Sequence, residues 1–195
     1  MQVVLASASP RRKELLKDVI PEFEILPSAF DESGVEISAP HFLVEKLAKG
    51  KSEEVALRKE NDGKIVIGSD TVVAYGAEIL GKPKDEKDAE RMLKLLSGKK
   101  HSVFTGVCFT LARGGKIVAQ KSGVAETGVY FNRLTEAFIR DYVKTDSPMD
   151  KAGGYGIQDG GLVEKIDGSY SCVVGLPVEL VKDMWKEIQD KGFGV

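Results

Sequence analysis

An α/β protein built on a mixed sheet is what this sequence predicts, and three observations carry that reading. Short apolar runs with strand character alternate with amphipathic helical stretches along the chain, the pattern of strands covered by helices. Glycine-containing turns join several neighbouring strands directly, so hairpins must interrupt any parallel arrangement. No repeat, low-complexity tract or linker divides the 195 residues. One domain covering 1–195 is therefore expected, long enough to bury a core and open to being pinched into two lobes around a cleft.

The elements follow in order. Val3-Val4-Leu5-Ala6 is the apolar body of a strand over residues 2–6. Pro10, with its φ preset and no N–H to satisfy, opens a helix over 10–19 that Ser9 caps and whose inner face is Leu15, Leu16 and Val19. Phe23 to Leu26 reads as a second strand, and the loop from Ser28 to Ser38 carries Asp31-Glu32. Pro40 opens a longer helix to about Arg58, with Leu43, Val44, Leu47 and Val55 inward. Gly50 interrupts it, at roughly 1 kcal/mol relative to Ala. Lys64 to Tyr75 is a strand that returns through Gly76 into Ile79-Leu80.

Asp85 to Leu96 is an amphipathic helix with Ala89, Met92, Leu93 and Leu96 inward and Gly98 as its stop. His101 to Ala112 and Lys116 to Phe131 are long strands joined at Arg113-Gly114-Gly115, and Thr135 caps a helix to Val143. After a Gly-rich loop, Leu162 to Ile166 and Tyr170 to Val174 are expected to pair as strands across Asp167-Gly168. Pro177 starts a last helix with Leu180, Val181, Met184 and Ile188 buried.

Composition bounds the function. With 42% hydrophobic and 30% charged residues, and no apolar run near the ~20 residues that span a bilayer, no membrane role is expected. The stretch after Met1 is too short for a signal peptide. The net charge of -2 gives no basic excess for nucleic acid, so cations that bind an anion must be gathered locally. Cys108 and Cys172 match no metal-ligand spacing and read as reduced thiols of a cytoplasmic protein. Any metal would bind through carboxylate oxygen.

Chemistry concentrates at turns. Ser7-Ala8-Ser9-Pro10-Arg11-Arg12 places two hydroxyls, free N–H groups and two guanidinium forks where a strand meets a helix, a phosphate grip in outline. The same residues also describe an ordinary capped helix with two solvated arginines. Gly68-Ser69-Asp70-Thr71 puts a carboxylate at the end of a buried strand, as a cap or a catalytic group. Lys82 between Gly81 and Pro83, Lys51 in mid-helix and Glu32 in a polar loop are each unremarkable alone. Together they supply the cations and carboxylates that a triphosphate with a divalent metal requires. The sequence has no Walker-type Gly-x-x-x-x-Gly-Lys-Ser/Thr and no Gly-x-Gly-x-x-Gly after the first strand. His41 and His101 share no metal spacing, and His101 reads as structural.

The segments 7–12, 68–71, 80–83, 96–98, 101–107, 150–153, 155–158 and 175–177, taken in order, resemble the Maf family of nucleoside triphosphate pyrophosphatases, first associated with inhibition of septum formation. That resemblance implies an elongated, two-lobed α/β body with a central cleft, similar to inosine triphosphate pyrophosphatases. It also implies hydrolysis of a nucleoside triphosphate to the monophosphate and pyrophosphate with Mg²⁺, Mn²⁺ or Co²⁺, as house-cleaning of the nucleotide pool. By the same resemblance Asp70 is the proton acceptor. Ser7, Arg11, Arg12, Lys51 and Lys82 handle phosphate, with Arg12 and Lys82 among the catalytic groups, and Glu32 joins Asp70 at the metal.

The family has a branch acting on dTTP and UTP and another acting on 7-methyl-GTP. Arg11, Thr71 and Gln158 resemble the first, which also leaves modified pyrimidine nucleotides open as substrates. A glutamine amide, with one donor and one acceptor side, suits the O4 and N3–H edge of such a base. Two departures stand out: Gly50 before the mid-helix lysine, and Ser171-Cys172 where asparagine is more usual. The alternatives are a nucleotide-sensing septum inhibitor that acts by binding, and the same reaction on 7-methyl-GTP. A homodimer is compatible with the sequence, although no uncovered stripe marks an interface. An RNA-binding module conflicts with the balanced charge and 7% aromatics.

Overall fold

The computed structural model describes residues 1–36, 39–191 and 193. The last two residues of the expected 28–38 loop lie outside that set. Among the described residues the chain forms β1 (Val3–Leu5), α1 (Pro10–Lys17), β2 (Glu24–Ile25), α2 (Pro40–Ala56), β3 (Ile65–Tyr75), β4 (Glu78–Leu80) and α3 (Glu86–Leu96). There follow β5 (Lys100–Arg113), β6 (Lys116–Phe131), α4 (Glu136–Val143), β7 (Val163–Asp167), α5 (Tyr170–Val174) and α6 (Val178–Lys191).

The sheet is mixed, as expected. Its strand order is β2-β1-β3-β5-β6-β7, with β4 also paired to β3. β1 runs parallel to both β2 and β3, Leu5 lying opposite Ile25 and Ile67. β3 with β4 and β6 with β7 are antiparallel. Each of these parallel pairs has a helix in its connection, the β3–β4 return is a hairpin, and β6 and β7 are antiparallel although α4 lies between them.

The residues gather into two compact units. The first takes residues 1–70, 105–125 and the chain from Gly175 onward, and the second takes 71–104 and 126–174. Each has its own core. In the first, the pleat sends Val3, Leu5, Ile65 and Ile67 to one face, with Leu16, Leu176, Val181 and Met184. Val4, Ala6 and Val66 go to the other face with Val55 and Ala56 of α2. In the second unit, Ala89, Met92, Leu93 and Leu96 of α3 pack with Val103, Val129, Phe131 and Ile139. The apolar faces read from the sequence are these cores, except that Leu180, Leu15 and Val19 are only partly buried.

One expected element is corrected. Tyr170 to Val174 is not a strand paired with 162–166 but the short helix α5, and β7 pairs instead with β6, Val129 lying opposite Ile166. The reason is local capping. Ser169 Oγ accepts the Cys172 N–H at 3.3 Å, and Ser169 is held at both backbone groups by the Thr127 hydroxyl, each at 3.0 Å. A five-residue apolar run cannot be assigned to strand or helix by periodicity, and a serine just before it tips the balance to helix.

Candidate active site

Six of the residues singled out from the sequence lie in the first unit, and packing gathers them. Ser9 has extended backbone (φ −67°, ψ 119°), and its Oγ accepts the Arg12 N–H at 3.4 Å, so it caps α1 as its position before Pro10 predicts. Ser7 Oγ accepts from the Ser9 N–H at 3.2 Å and from Arg12 Nη1 at 3.4 Å. Arg12 Nε donates to the Gly175 carbonyl at 2.8 Å. Ser69 Oγ donates to that same carbonyl at 3.0 Å. The guanidinium is thus tied to the end of β1 and to the start of the chain's last segment. Burial pushes its pKa down, Asp70 and Glu32 oppose that shift, and Arg11 reinforces it. Arg12 therefore lies within the field of all three.

The centre of the cluster is Lys51. Its ammonium stands 2.5 Å from Asp70 Oδ1 and 2.8 Å from Glu32 Oε1. The Lys51 and Asp70 side chains are 16% and 13% exposed, whereas Glu32 is 51% exposed. A half-buried lysine therefore joins one sheltered carboxylate to one that reaches solvent. Such a pair is screened less than a surface ion pair and holds both carboxylates at one place.

Two glycines make this approach geometrically allowed. A Cβ on Gly68 of β3 would lie 2.2 Å from the Ala48 carbonyl and 2.8 Å from the Ser52 amide, so α2 touches the strand backbone to backbone. Lys51 can then reach Asp70, two residues past Gly68. A Cβ on Gly50 would lie 2.4 Å from the tip of the Phe30 ring. The mid-helix glycine is the notch that seats Phe30 and hence the loop bearing Glu32. Glu54 anchors the same loop, accepting from Ser28 Oγ at 2.9 Å and the Ala29 N–H at 2.8 Å. Burial resists ionisation of Glu54, but Ala29, Arg58 and Ser28 outweigh it and hold its pKa below the ordinary value. The Asp31 carboxylate caps the single turn Glu32–Gly34 by accepting the Ser33 N–H at 2.9 Å.

The other three singled-out residues lie in the second unit. Thr71 is half-buried on β3, Lys82 is exposed between β4 and α3, and Gln158 is exposed in the Gly-rich segment. The Gly81 carbonyl beside Lys82 accepts the Gly153 N–H at 3.0 Å, tying the lysine's segment to that glycine-rich stretch. His101 is structural, as read. It is buried on β5, shares a 2.8 Å hydrogen bond between Nε2 and Tyr155 Oη, and burial lowers its pKa to about 4. Both cysteines are buried, and neither is in a disulfide. No group of three or more metal-ligating side chains occurs among the described residues, so the two carboxylates at Lys51 are the oxygen donors the cluster offers.

Comparison with known proteins fits this arrangement. The family described as Maf-like protein matches residues 2–188. The chain belongs to the Maf family. It is 49% identical over 181 residues to a protein of Clostridium novyi (strain NT) named dTTP/UTP pyrophosphatase, covering 91% of this chain and 93% of that one. A Clostridium tetani (strain Massachusetts / E88) protein of the same name is 44% identical over 192 residues, covering 96% and 98%. In fold the chain is similar to the Ham1 protein of Staphylococcus aureus (TM-score 0.54, 13% identity, covering 95% of this chain and 98% of that one). It is likewise similar to a HAM1 protein of Coxiella burnetii (TM-score 0.55, 15% identity, 96% and 99%). At that identity the likeness concerns the fold.

Within this Maf chain, Phe30, Glu54, Ser69 and the Gly175 carbonyl hold the site without having been assigned roles from the sequence. The one available signal was Gly50, a poor helix former beside a functional candidate. Its cost to α2 makes sense once the Phe30 ring is seen against it.

Proposed function

We propose that this chain hydrolyses dTTP and UTP to the monophosphate and pyrophosphate, as a single-domain, metal-dependent, cytoplasmic enzyme of the nucleotide pool. The observation that carries the reading is the Lys51 bridge between Asp70 and Glu32, beside the Ser7–Arg12 grip and within the field of Arg12. The names of the relatives support the substrate class.

In the proposed reaction water attacks the α-phosphorus, the bond to the bridging oxygen breaks, and pyrophosphate leaves. Asp70, at the end of a buried strand, orients the water and takes its proton. Arg11, Arg12, Lys51 and Lys82 stabilise the charge that grows on the leaving group, where guanidinium forks match phosphate oxygens two at a time. Gln158 reads the pyrimidine edge, and Arg11 and Thr71 are further specificity residues. Ser7 supports the phosphate end and holds Arg12 in place.

The residues fit a hard divalent cation. Asp70 and Glu32, one of them open to solvent, both meet the Lys51 ammonium, which a cation bound between them would displace. Mg²⁺ is commonly held by one or two carboxylates completed by substrate phosphates. Asp70 and Glu32 would hold it, and when bound it would neutralise charge on the triphosphate. The test is Asp70→Asn with folding verified. Pyrophosphate release from UTP is expected to fall by about 10²–10⁴-fold, and turnover within a few-fold of wild type would reject the assignment.

A further inference from the structure

The Gly-rich segment of the second unit is not a loose loop at Gln158. Asp159 N–H donates to the Gly156 carbonyl at 3.1 Å, closing a turn over Gly156, Ile157, Gln158 and Asp159. Both ends of that turn then hang on one phenol. The Gly156 N–H donates to Tyr142 Oη at 3.1 Å, and Tyr142 Oη donates to Asp159 Oδ2 at 2.5 Å. Ser147 Oγ donates to the same carboxylate oxygen at 2.7 Å. Lys151 Nζ fixes that serine in turn, reaching its carbonyl at 2.5 Å and its Oγ at 3.0 Å.

The ring is tightly built. A Cβ on Gly156 would lie 2.6 Å from Asp159 Oδ2 and 2.9 Å from Lys151 Cε, so the turn closes on its own carboxylate with no room for a side chain. Tyr142 is 8% exposed, sits in the core with Ile139 and Val143, and stacks on Phe138. Burial, reinforced by the hydrogen bond to Asp159, raises its pKa, so the phenol stays protonated and donates. Outside this ring of bonds stands Gln158, exposed at the third position of the turn, and its side chain is given no hydrogen bond by the ring's partners.

We infer that Tyr142 and Asp159 are positioning residues for nucleobase discrimination, a clamp that presets the Gly156–Asp159 turn and with it the reach of the Gln158 amide. The inference rests on the base-reading role proposed above for Gln158. Its physical basis is the cost of ordering. A free turn must be fixed when a base is bound, whereas a turn already fixed at both ends spends none of the recognition energy on that step. The clamp acts on the base and not on the phosphates, since its atoms belong to the Tyr142–Asp159 segment and not to the Arg12–Lys51–Asp70 cluster.

The full chain carrying Tyr142→Phe, Asp159→Asn or Gln158→Ala, and the Tyr142→Phe/Gln158→Ala pair, is assayed with UTP, dTTP, CTP and GTP. Tripolyphosphate serves as a base-free inhibitor. Tyr142→Phe is expected to lower kcat/KM for UTP and dTTP by about tenfold, the equivalent of one displaced hydrogen bond, chiefly through KM. Rates with CTP and GTP and the inhibition constant of tripolyphosphate stay near wild type. Asp159→Asn keeps one acceptor oxygen and falls in between, and it serves should Tyr142→Phe not fold. In the pair, the loss of selectivity equals that of Gln158→Ala alone, because both changes remove one function.

A uniform loss across all nucleotides and tripolyphosphate overturns the clamp as a specificity device. So does full selectivity in Tyr142→Phe and Asp159→Asn when Gln158→Ala has lost it. Wild-type selectivity in Gln158→Ala instead strikes the base-reading role itself, and the clamp's function with it.

Discussion

The two units place their ionisable groups differently. In the first, Lys51 is set against Asp70 and Glu32, and Arg12 lies within the field of both carboxylates. In the second, burial holds His101 unprotonated and raises both Tyr142 and Tyr155, and the sheltered cation Lys151 is paired with Asp150 and fastened to Ser147. Charge that is retained can act on a polyanion, while charge that is suppressed leaves fixed hydrogen-bonding geometry. The same elements, helices packed on strands, thus gather a charge cluster in one unit and a hydrogen-bonded turn in the other.

The strongest way to break the contrast is to remove the central cation. Lys51→Met should lower kcat for UTP by about 10²–10³-fold, the scale of losing one preorganised electrostatic group. Steady-state kinetics reads this, and a loss under threefold would show that the Asp70–Glu32 pair works without its bridge. Next in size is the acid response of the second unit. An unfolded histidine takes up its proton near pH 6.5, whereas folded His101 resists until about pH 4. The unfolded state therefore binds more protons in that window, and stability must fall as pH drops from about 6.5 toward 4. The loss is roughly 3 kcal/mol at most. Urea unfolding across the window should show it, and His101→Gln, which retains a partner for Tyr155, should flatten the slope.

Gly50→Ala sharpens the comparison at a smaller scale. Propensity alone favours Ala in a helix by about 1 kcal/mol. Here the added methyl meets Phe30, and moving that ring moves the loop that presents Glu32. The divalent-metal concentration for half-maximal rate should rise about tenfold, as expected when one carboxylate ligand is displaced by an altered outer contact. An unchanged activation curve would mean that the ring yields without carrying Glu32 along. The smallest effect is expected of Ser69→Ala, which deletes one of two donors to the Gly175 carbonyl. About 1 kcal/mol of stability should be lost, measurable by thermal denaturation, with Arg12 still holding the carbonyl.

Much of the first unit was legible before its structure. Ser9 and Pro10 announce the start of α1 through rules that operate within one turn, and Leu43, Val44, Leu47 and Val55 show the buried side of α2. The candidate residues were legible as residue types at turns and by resemblance to a family. Their meeting was not. The second unit was less open, because Tyr170–Val174 is too short for its period to be read, and because Tyr142 looks like any aromatic on a helix's inner face.

From its own letters the chain determined the alternation of strands and helices, the caps, and a stock of cations and carboxylates placed where the backbone turns. These follow from interactions among near neighbours, which any fold containing the segment must respect. Tertiary structure alone decided that Lys51 reaches Asp70 across 19 residues and that Arg12 reaches Gly175 across 163. It also decided that a phenol on α4 fastens both ends of the turn at Gln158. The reason is that such contacts depend on how closely backbones approach, here at Gly68 and Gly50, and that distance is set only when the cores close.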